Sequence, residues 1–145
     1  MPDKLIASSD HAGIALRAVA VRTAAQAGFD VEERGPAPGE RSDYPGEARR
    51  VGEVVAAGKA RFGILVCGTG IGMSIAANKV RGVRAAVCTS EYEARMARAH
   101  NDANVLCLGE RVVGVGVCEA IVRAFLETAF DGGRHADRVK LIEAT

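Results

Sequence analysis

The amino-acid sequence predicts an α/β protein in which a central parallel sheet of about five strands lies between two layers of helices. Short apolar stretches alternate with longer segments of helical spacing along the chain. Each apolar stretch has the length of a strand that is buried on both faces. Such alternation is typical of a parallel sheet covered on both sides, which is a three-layer α/β/α arrangement.

Length, charge and composition limit the function classes. The 145 residues, 48% of them hydrophobic, show no break in composition, so we expect a single domain over residues 1–145. The 19 Lys and Arg balance 18 Asp and Glu, which does not indicate nucleic acid or an acidic membrane surface as a partner. No leader segment or membrane-length apolar run stands out, so we expect a cytoplasmic protein.

The cysteines do not have the spacing of a metal or dithiol redox site. None forms a CxxC pair or a Cys/His cluster, so we expect free thiols and no bound metal or cofactor. The cysteines are Cys67, Cys88, Cys107 and Cys118.

The elements follow in order along the chain. The predicted strands are residues 4–8, 29–33, 62–67, 83–88 and 105–108. The predicted helices are residues 13–27, 46–58, 74–79, 90–101 and 115–129. Gly28 and Gly58 stand where glycine commonly ends a helix. Residues 34–45, with three of the four prolines, are predicted to be a loop, and a further helix is predicted to start after Gly132 and Gly133.

In a parallel α/β sheet, ligands bind beyond the carboxyl ends of the strands. This rule selects Asp10 and His11 after the first strand, the segment 67–72 after the third, and Thr89 and Ser90 after the fourth. We expect these groups to open onto one crevice.

The glycine-rich segment Gly68–Gly72 reads GTGIG. A dinucleotide-binding fingerprint would need glycine at the position of Met73, and the lysine of a P-loop is absent, so nucleotide binding is disfavoured. The turn instead offers several backbone N–H groups to one anion.

Cys67 ends the third strand, directly before this turn. An isolated cysteine is more often a buried apolar residue than a reactive one. Its position reverses that preference, because backbone donors beside a thiol favour the thiolate. We interpret Cys67 as a candidate base or nucleophile and the other cysteines as core residues.

Three further candidates have ordinary structural alternatives. Asp10 could cap the first helix as well as contact a ligand. His100 closes a helix, where a histidine can simply interact with the helix dipole. Arg134 and Arg138 are four residues apart, so a helix would place both on one face, suited to a phosphate or only to solvent.

Several segments together resemble a known family. In order they are SSDHAG, RSDYP, GILVCGTGIGMSIAANK, GVRAAVC, AHNDANVL, GERVVG and GGRHADRV. They resemble the ribose-5-phosphate isomerase type B family, which includes the galactose-6-phosphate isomerase subunits, from about residue 5 to residue 139. The resemblance implies a Rossmann-like α/β/α sandwich that interconverts ribose 5-phosphate and ribulose 5-phosphate without a metal or cofactor.

The same resemblance assigns roles to residues. Cys67 matches the family's catalytic base and His100 matches the acid that opens the furanose ring, with Thr69 and Asp10 assigned beside them. A larger set is implied to contact sugar and phosphate: Asp10, His11, Tyr44, Gly68, Thr69, Gly70, Ile71, Gly72, Asn101, Arg111, Arg134 and Arg138. Members without the cysteine use a glutamate in the following loop, which this sequence lacks at residues 73–74.

Family members dimerise and build each active site from both subunits. The resemblance therefore implies a homodimer or a tetramer, with a sugar phosphate as the small-molecule partner. Residues 131–145, which hold Arg134 and Arg138, are expected to pack on the neighbouring subunit.

Two alternatives stay open. An isomerase acting on a tetrose 4-phosphate, on allose or galactose 6-phosphate, or on a free sugar would share the chemistry and differ in pocket length, set by residues 34–44 and the surroundings of Met73. A non-catalytic phosphosugar-binding subunit is disfavoured, because binding alone needs no base beside an anion site.

Overall fold

The computed structural model describes all 145 residues and contains a single five-stranded sheet. The strands are β1 (Lys4–Ser9), β2 (Asp30–Glu33), β3 (Phe62–Cys67), β4 (Ala85–Val87) and β5 (Val105–Gly109). The helices are α1 (Ile14–Gln26), α2 (Tyr44–Ala56), α3 (Ile71–Ala77), α4 (Glu91–Asn101), α5 (Val115–Glu127) and α6 (Arg134–Glu143).

All strand pairs are parallel, in the order β2-β1-β3-β5-β4. This confirms the predicted fold class and the strand number. The chain moves outward from β1 to β2 and then crosses to β3 on the other side, so strand order reverses between β1 and β3. Ligands of open α/β sheets bind at such a switch point, beyond the carboxyl ends of the strands.

Alternate residues of the central strands build two apolar layers. Phe62, Ile64 and Val66 of β3 pack on one side, in a core with residues of α1, α4 and α5. Leu65 and Cys67 face the other side, in a core with residues of α2 and α3. Every residue of β3 is buried, as expected of a central strand covered by helices on both faces.

Among the boundaries that differ from the sequence prediction, three have a clear physical reason. The helix α2 begins at Tyr44 rather than residue 46, because Pro45 in its first turn fixes a helical φ where no N–H partner is needed. The helix α3 begins at Ile71 rather than residue 74, because Gly70 adopts φ 80° and turns the chain into a helix at once. The strand β4 is only three residues long, since it pairs with β5 alone at the edge of the sheet.

Gly28 and Gly58 follow α1 and α2 with positive φ angles of 97° and 74°, so the predicted helix ends are confirmed. The predicted helix after Gly133 is also present, as α6. None of the helices is long and apolar enough to span a bilayer.

Candidate active site

A cavity of about 570 Å³ opens at the switch point between β1 and β3. It is lined by Asp10, His11, Ala12, Tyr44, Cys67, Gly68, Thr69, Ile71, Gly72, Ile75 and Arg111. The segments that follow β1, β3 and β5 therefore meet here with the start of α2. Most of the predicted site residues lie together, whereas Thr89 and Ser90 do not line this cavity and instead bond Glu93 at the start of α4.

Cys67 lies at the bottom of this cavity. Its side chain is buried, and its Sγ accepts a hydrogen bond of 3.1 Å from the backbone N–H of Gly70. This hydrogen bond fixes the sulfur directly beside the glycine turn. Cys67 therefore packs in the hydrophobic core and also lines the cavity.

The other three cysteines are buried and do not line this cavity. Burial raises the pKa of Cys88 and of Cys118 to about 12, with smaller contributions from Glu93 and Glu119 respectively. Burial also raises the pKa of Cys107 well above its usual value. These thiols stay protonated near neutral pH, in agreement with their interpretation as core residues.

The glycine turn presents unpaired donors to the cavity. The backbone N–H groups of Gly68, Thr69 and Gly72 have no acceptor within the chain, and the N–H of Ile71 bonds only to Oγ1 of Thr69 at 3.2 Å. A side-chain carbon at Gly72 would lie 2.6 Å from the ring of Tyr44, so only glycine lets this ring lie against the turn. The turn can therefore bind an anion with backbone donors.

Asp10 does not cap α1, which corrects that alternative. Its Oδ1 accepts from the N–H of Ala12 at 2.9 Å, while the cap position is held by Gly13, without a side-chain bond. The first turn of α1 is instead bonded by Glu110, whose Oε1 accepts from the N–H of Leu16 at 2.8 Å. Asp10 is buried and lines the cavity, so its second carboxylate oxygen is free for a ligand.

Two backbone hydrogen bonds join the segment after β5 to the glycine turn. The N–H of Glu110 donates to the oxygen of Cys67 at 2.9 Å, and the N–H of Arg111 donates to that of Gly68 at 3.0 Å. The exposed guanidinium of Arg111 lies beside Gly68, where a side-chain carbon would approach its Nη1 to 3.5 Å. Arg111 thus supplies a positive charge at the cavity rim.

Four predicted site residues lie at the opposite edge of the sheet. His100 and Asn101 end α4 immediately before β5 begins, whereas Cys67 lies where β3 ends. At about 3.3 Å per residue, a strand of this length separates the two edges by roughly 16 Å. Arg134 begins α6 and Arg138 lies one turn further along it; α6 packs on α4. One chain therefore does not bring these four residues to Cys67.

The rings of His100 and His135 stack at this amino edge, with centroids 4.2 Å apart and an interplanar angle of 8°. Burial lowers the pKa of His135, and the nearby His100, Arg134 and Arg138 lower it further. Asp131 also lies within 4.8 Å of both imidazoles. Because ring-nitrogen lone pairs lie in the ring planes, stacked rings do not converge on one cation, and the two arginines favour an anion.

The largest cavity, of about 770 Å³, also lies near this amino edge. It is formed mainly by residues 78–86, together with Asn101 and the end of α6. It contains no thiol or imidazole, so it offers no group for acid–base chemistry near neutral pH.

Sequence reasoning missed two residues near these edges. His135 lies within the segment GGRHADRV, next to Arg134. Its stacking on His100 joins two distant positions of the chain, which no local pattern shows. Glu110 lies within GERVVG, but its bond to α1 joins residues 94 positions apart, which no local pattern shows.

Comparisons with known proteins agree with this geometry. The sequence model of the family described as Ribose/Galactose Isomerase matches residues 5–142. Ribose-5-phosphate isomerase B of Escherichia coli is 45% identical, over 97% of this chain and 95% of its own. The D-erythrulose-4-phosphate isomerase of Pectobacterium atrosepticum is 42% identical, over 92% of this chain and 89% of its own.

Solved structures give the same result. The type B ribose 5-phosphate isomerase of Trypanosoma brucei superposes with a TM-score of 0.96 at 49% identity, covering 99% of each chain. The Clostridium thermocellum ribose-5-phosphate isomerase B superposes with a TM-score of 0.94 at 48% identity, covering 97% of this chain and 95% of its own. The resemblance found in the sequence is confirmed, and the chain belongs to the ribose/galactose isomerase family of enzymes.

Proposed function

We propose that the protein interconverts D-ribose 5-phosphate and D-ribulose 5-phosphate, with Cys67 as the base. Family membership and the names of the relatives support the reaction class. The observation that carries the assignment of the base is the 3.1 Å hydrogen bond from Gly70 to the sulfur of Cys67, inside a cavity at the switch point.

The chemistry is a proton transfer between neighbouring carbons. The thiolate of Cys67 takes the proton from C2 of the open-chain aldehyde, the C2 electron pair forms the C1–C2 double bond, and the carbonyl oxygen takes up negative charge. Return of the proton to C1, with reformation of a carbonyl at C2, gives the ketose. Thr69 lines the cavity, and its hydroxyl would move the proton from O2 to O1.

The glycine turn stabilises the enediolate between these steps. The free N–H groups of Gly68, Thr69 and Gly72 are fixed by the backbone before substrate arrives, so they need no reorganisation. One such donor contributes about 3 kcal/mol to transition-state stabilisation in other enzymes. Asp10 adds a buried carboxylate that can hold a sugar hydroxyl.

We propose that the acid that opens the furanose ring is His100 of the partner subunit. His100 and Cys67 of one chain lie at opposite edges of the sheet, and proton transfer needs contacts of about 3 Å. A twofold dimer would place the amino edge of each chain against the carboxyl edge of the other and complete two sites at once. Ile71 and Ile75 are 55% and 59% exposed beside the cavity, which suits a surface covered by a second copy.

The phosphate-binding arginines would also come from the partner subunit. Arg134 and Arg138 are exposed on one face of α6, and the stacked His100 and His135 lie next to them. Residues 131–145 would carry the two arginines and His135 into the neighbouring subunit's cavity, where Arg111 and His11 supply further contacts. Binding of the remote phosphate would then place C2 at the sulfur of Cys67.

A second candidate is isomerisation of another sugar phosphate by the same residues. The observation in its favour is the 42% identity with the D-erythrulose-4-phosphate isomerase of Pectobacterium atrosepticum. Rates measured with phosphosugars of four, five and six carbons distinguish the two candidates.

The experiment is turnover of ribose 5-phosphate by purified protein in EDTA, with Cys67→Ala and Cys107→Ala in parallel. We expect Cys67→Ala to lose about 10² to 10⁴ in turnover, the usual contribution of a positioned base. Cys107→Ala is the matched control, because it removes an equal side chain from the neighbouring strand without touching the cavity. Near-full activity of a folded Cys67→Ala protein would contradict the assignment.

A further inference from the structure

We propose that Glu47 is a positioning residue for this site: through Ser42 it holds His11 with one ring nitrogen free to meet the substrate. The inference rests on the proposed function, in which His11 contacts the sugar phosphate. Glu47 itself does not line the cavity.

The first step is the orientation of the His11 ring. Its Nδ1 lies 3.1 Å from the backbone oxygen of Ser42. A carbonyl oxygen only accepts hydrogen bonds, so Nδ1 must carry a proton and donate it. The other nitrogen, Nε2, has no partner within the chain and belongs to a residue that lines the cavity. The bond to Ser42 therefore fixes which nitrogen is available to a ligand.

The second step is the fixing of Ser42. It lies in the segment 34–43, which contains no helix or strand. The Oγ of Ser42 donates to Oε2 of Glu47 at 2.6 Å, and Oε1 of Glu47 accepts from the buried Ser8 of β1 at 2.8 Å. The carboxylate of Glu47 thus ties Ser42, whose backbone oxygen meets His11, to the strand β1.

The third step is the charge of Glu47. The residue is 5% exposed, and Arg50 forms an ion pair with the same Oε2 at 2.5 Å. Burial alone would raise the pKa of Glu47, but hydrogen bonds from Ser42, Ser8 and Arg50 outweigh burial and hold the pKa below its usual value. A buried carboxylate with this many donors is an anchor rather than a surface charge.

The loop has a second anchor, independent of Glu47. The buried Arg17 donates to the backbone oxygen of Pro36 at 3.0 Å and to Ser9 at 2.9 Å. Loss of the Glu47 contact would therefore free the end of the loop that meets His11 and leave the other end attached. A local effect on His11 is expected, without unfolding of the loop.

The direct test is the tautomer of His11, measured by ¹⁵N–¹H NMR of the imidazoles. The chain has only three histidines, so assignment by substitution is simple. We expect a proton on Nδ1 of His11 in the wild type, and a shift toward a mixture of tautomers in Ser42→Ala and Glu47→Gln. Ser42→Thr keeps the hydroxyl and should keep the wild-type signal. An Nδ1 signal unchanged in both Ser42→Ala and Glu47→Gln would overturn the proposal.

The kinetic test uses the preferred phosphosugar of the wild type. Ser42→Ala should raise KM about 5- to 10-fold and leave kcat within about twofold, because it weakens a binding contact equivalent to about one hydrogen bond. In a His11→Asn background the same change should have no further effect. A rise in KM that persists in that background would overturn the proposal, because the loop would then act by another route.

The matched control is Glu40→Gln. Glu40 lies in the same loop and accepts a hydrogen bond from Ala37 at 3.0 Å, but it is exposed and forms no hydrogen bond with Ser42. It should change neither the tautomer nor KM. Should the wild type isomerise no sugar phosphate, the proposed function fails, whereas the NMR result still supports or overturns the role of Glu47.

Discussion

The two edges of the sheet carry different chemical groups. The carboxyl edge holds a buried thiol, unpaired backbone donors and a buried carboxylate around one cavity. The amino edge holds two stacked imidazoles and two exposed arginines on helices α4 and α6. In the proposed function, the first edge moves a proton on carbon, and the second binds the phosphate and protonates the ring oxygen.

The sequence contains every residue assigned to the candidate site, but one folded chain does not bring all of them to the cavity of Cys67. The connection from β4 through α4 to β5 carries the chain from the carboxyl edge to the amino edge, so His100 lies about a strand length from Cys67. In the proposed function, a second copy of the chain brings the two sets of residues together.

The largest expected effect is in alkylation of the cysteines at pH 8. We expect iodoacetamide to modify Cys67 at least about 10³-fold faster than Cys88 or Cys118, because a thiol with a pKa of about 12 is almost fully protonated there. Mass spectrometry of the digested protein measures the rates, and a phosphosugar should protect Cys67. Equal rates at all three sites would remove the contrast between core and cavity.

The next effect concerns His100 at the amino edge. His100→Asn should lower turnover of ribose 5-phosphate about 10²-fold, the lower range for a positioned acid, with unfolding little changed. His135→Asn would leave that acid in place and should lower turnover less. Turnover by His100→Asn within twofold of the wild type would show that His100 does not take part in the reaction.

Arg138 gives a smaller effect, confined to phosphorylated substrates. Arg138→Ala should raise KM about tenfold for a sugar phosphate and barely change any activity on the free sugar. Lys140→Ala is the control, since Lys140 is an exposed positive charge on the same helix. Equal losses on both substrates would exclude a phosphate clamp.

The smallest effect is in stability against pH. The folded protein lowers the pKa of His135 below its unfolded value of about 6.5. As the pH falls through the unfolded value, His135 is protonated more in the unfolded state than in the folded state. The free energy of unfolding therefore falls as pH drops from 7.5 to 5. Thermal unfolding should show a smaller drop in His135→Asn than in the wild type; an identical drop would contradict the shift.

Much of the fold follows from local patterns in the sequence. The five strands, the helix ends at Gly28 and Gly58, and the helix after Gly133 agree with the prediction, because burial on both faces and positive φ leave local signatures. The start of α2 was predicted too late, because the loop prediction gave Pro45 the role of a helix breaker. Proline is also favoured in the first helical turn, and only the packed structure decides between these roles.

The carboxyl edge of the candidate site was predictable for the same reason. The carboxyl ends of neighbouring parallel strands lie together at a switch point, independently of the loop conformations. Asp10, His11 and Cys67 could therefore be grouped from the sequence. The contacts of Glu47 with Ser8 and Ser42 span up to 39 positions and have no periodic pattern. The separation of His100 from Cys67 is a property of topology that a set of motifs does not contain.

The most direct test of a site shared between subunits is complementation of two inactive proteins. Cys67→Ala and His100→Asn proteins are mixed in equal amounts, dissociated and reassociated, and assayed with ribose 5-phosphate. Half of the dimers would then be mixed, and each would carry one intact site, so activity should recover to about one quarter of the wild type. A mixture of Cys67→Ala with Arg111→Ala, both at the carboxyl edge, should gain nothing over its parents. Failure of the first mixture to recover, with mixed dimers present, would contradict the shared site.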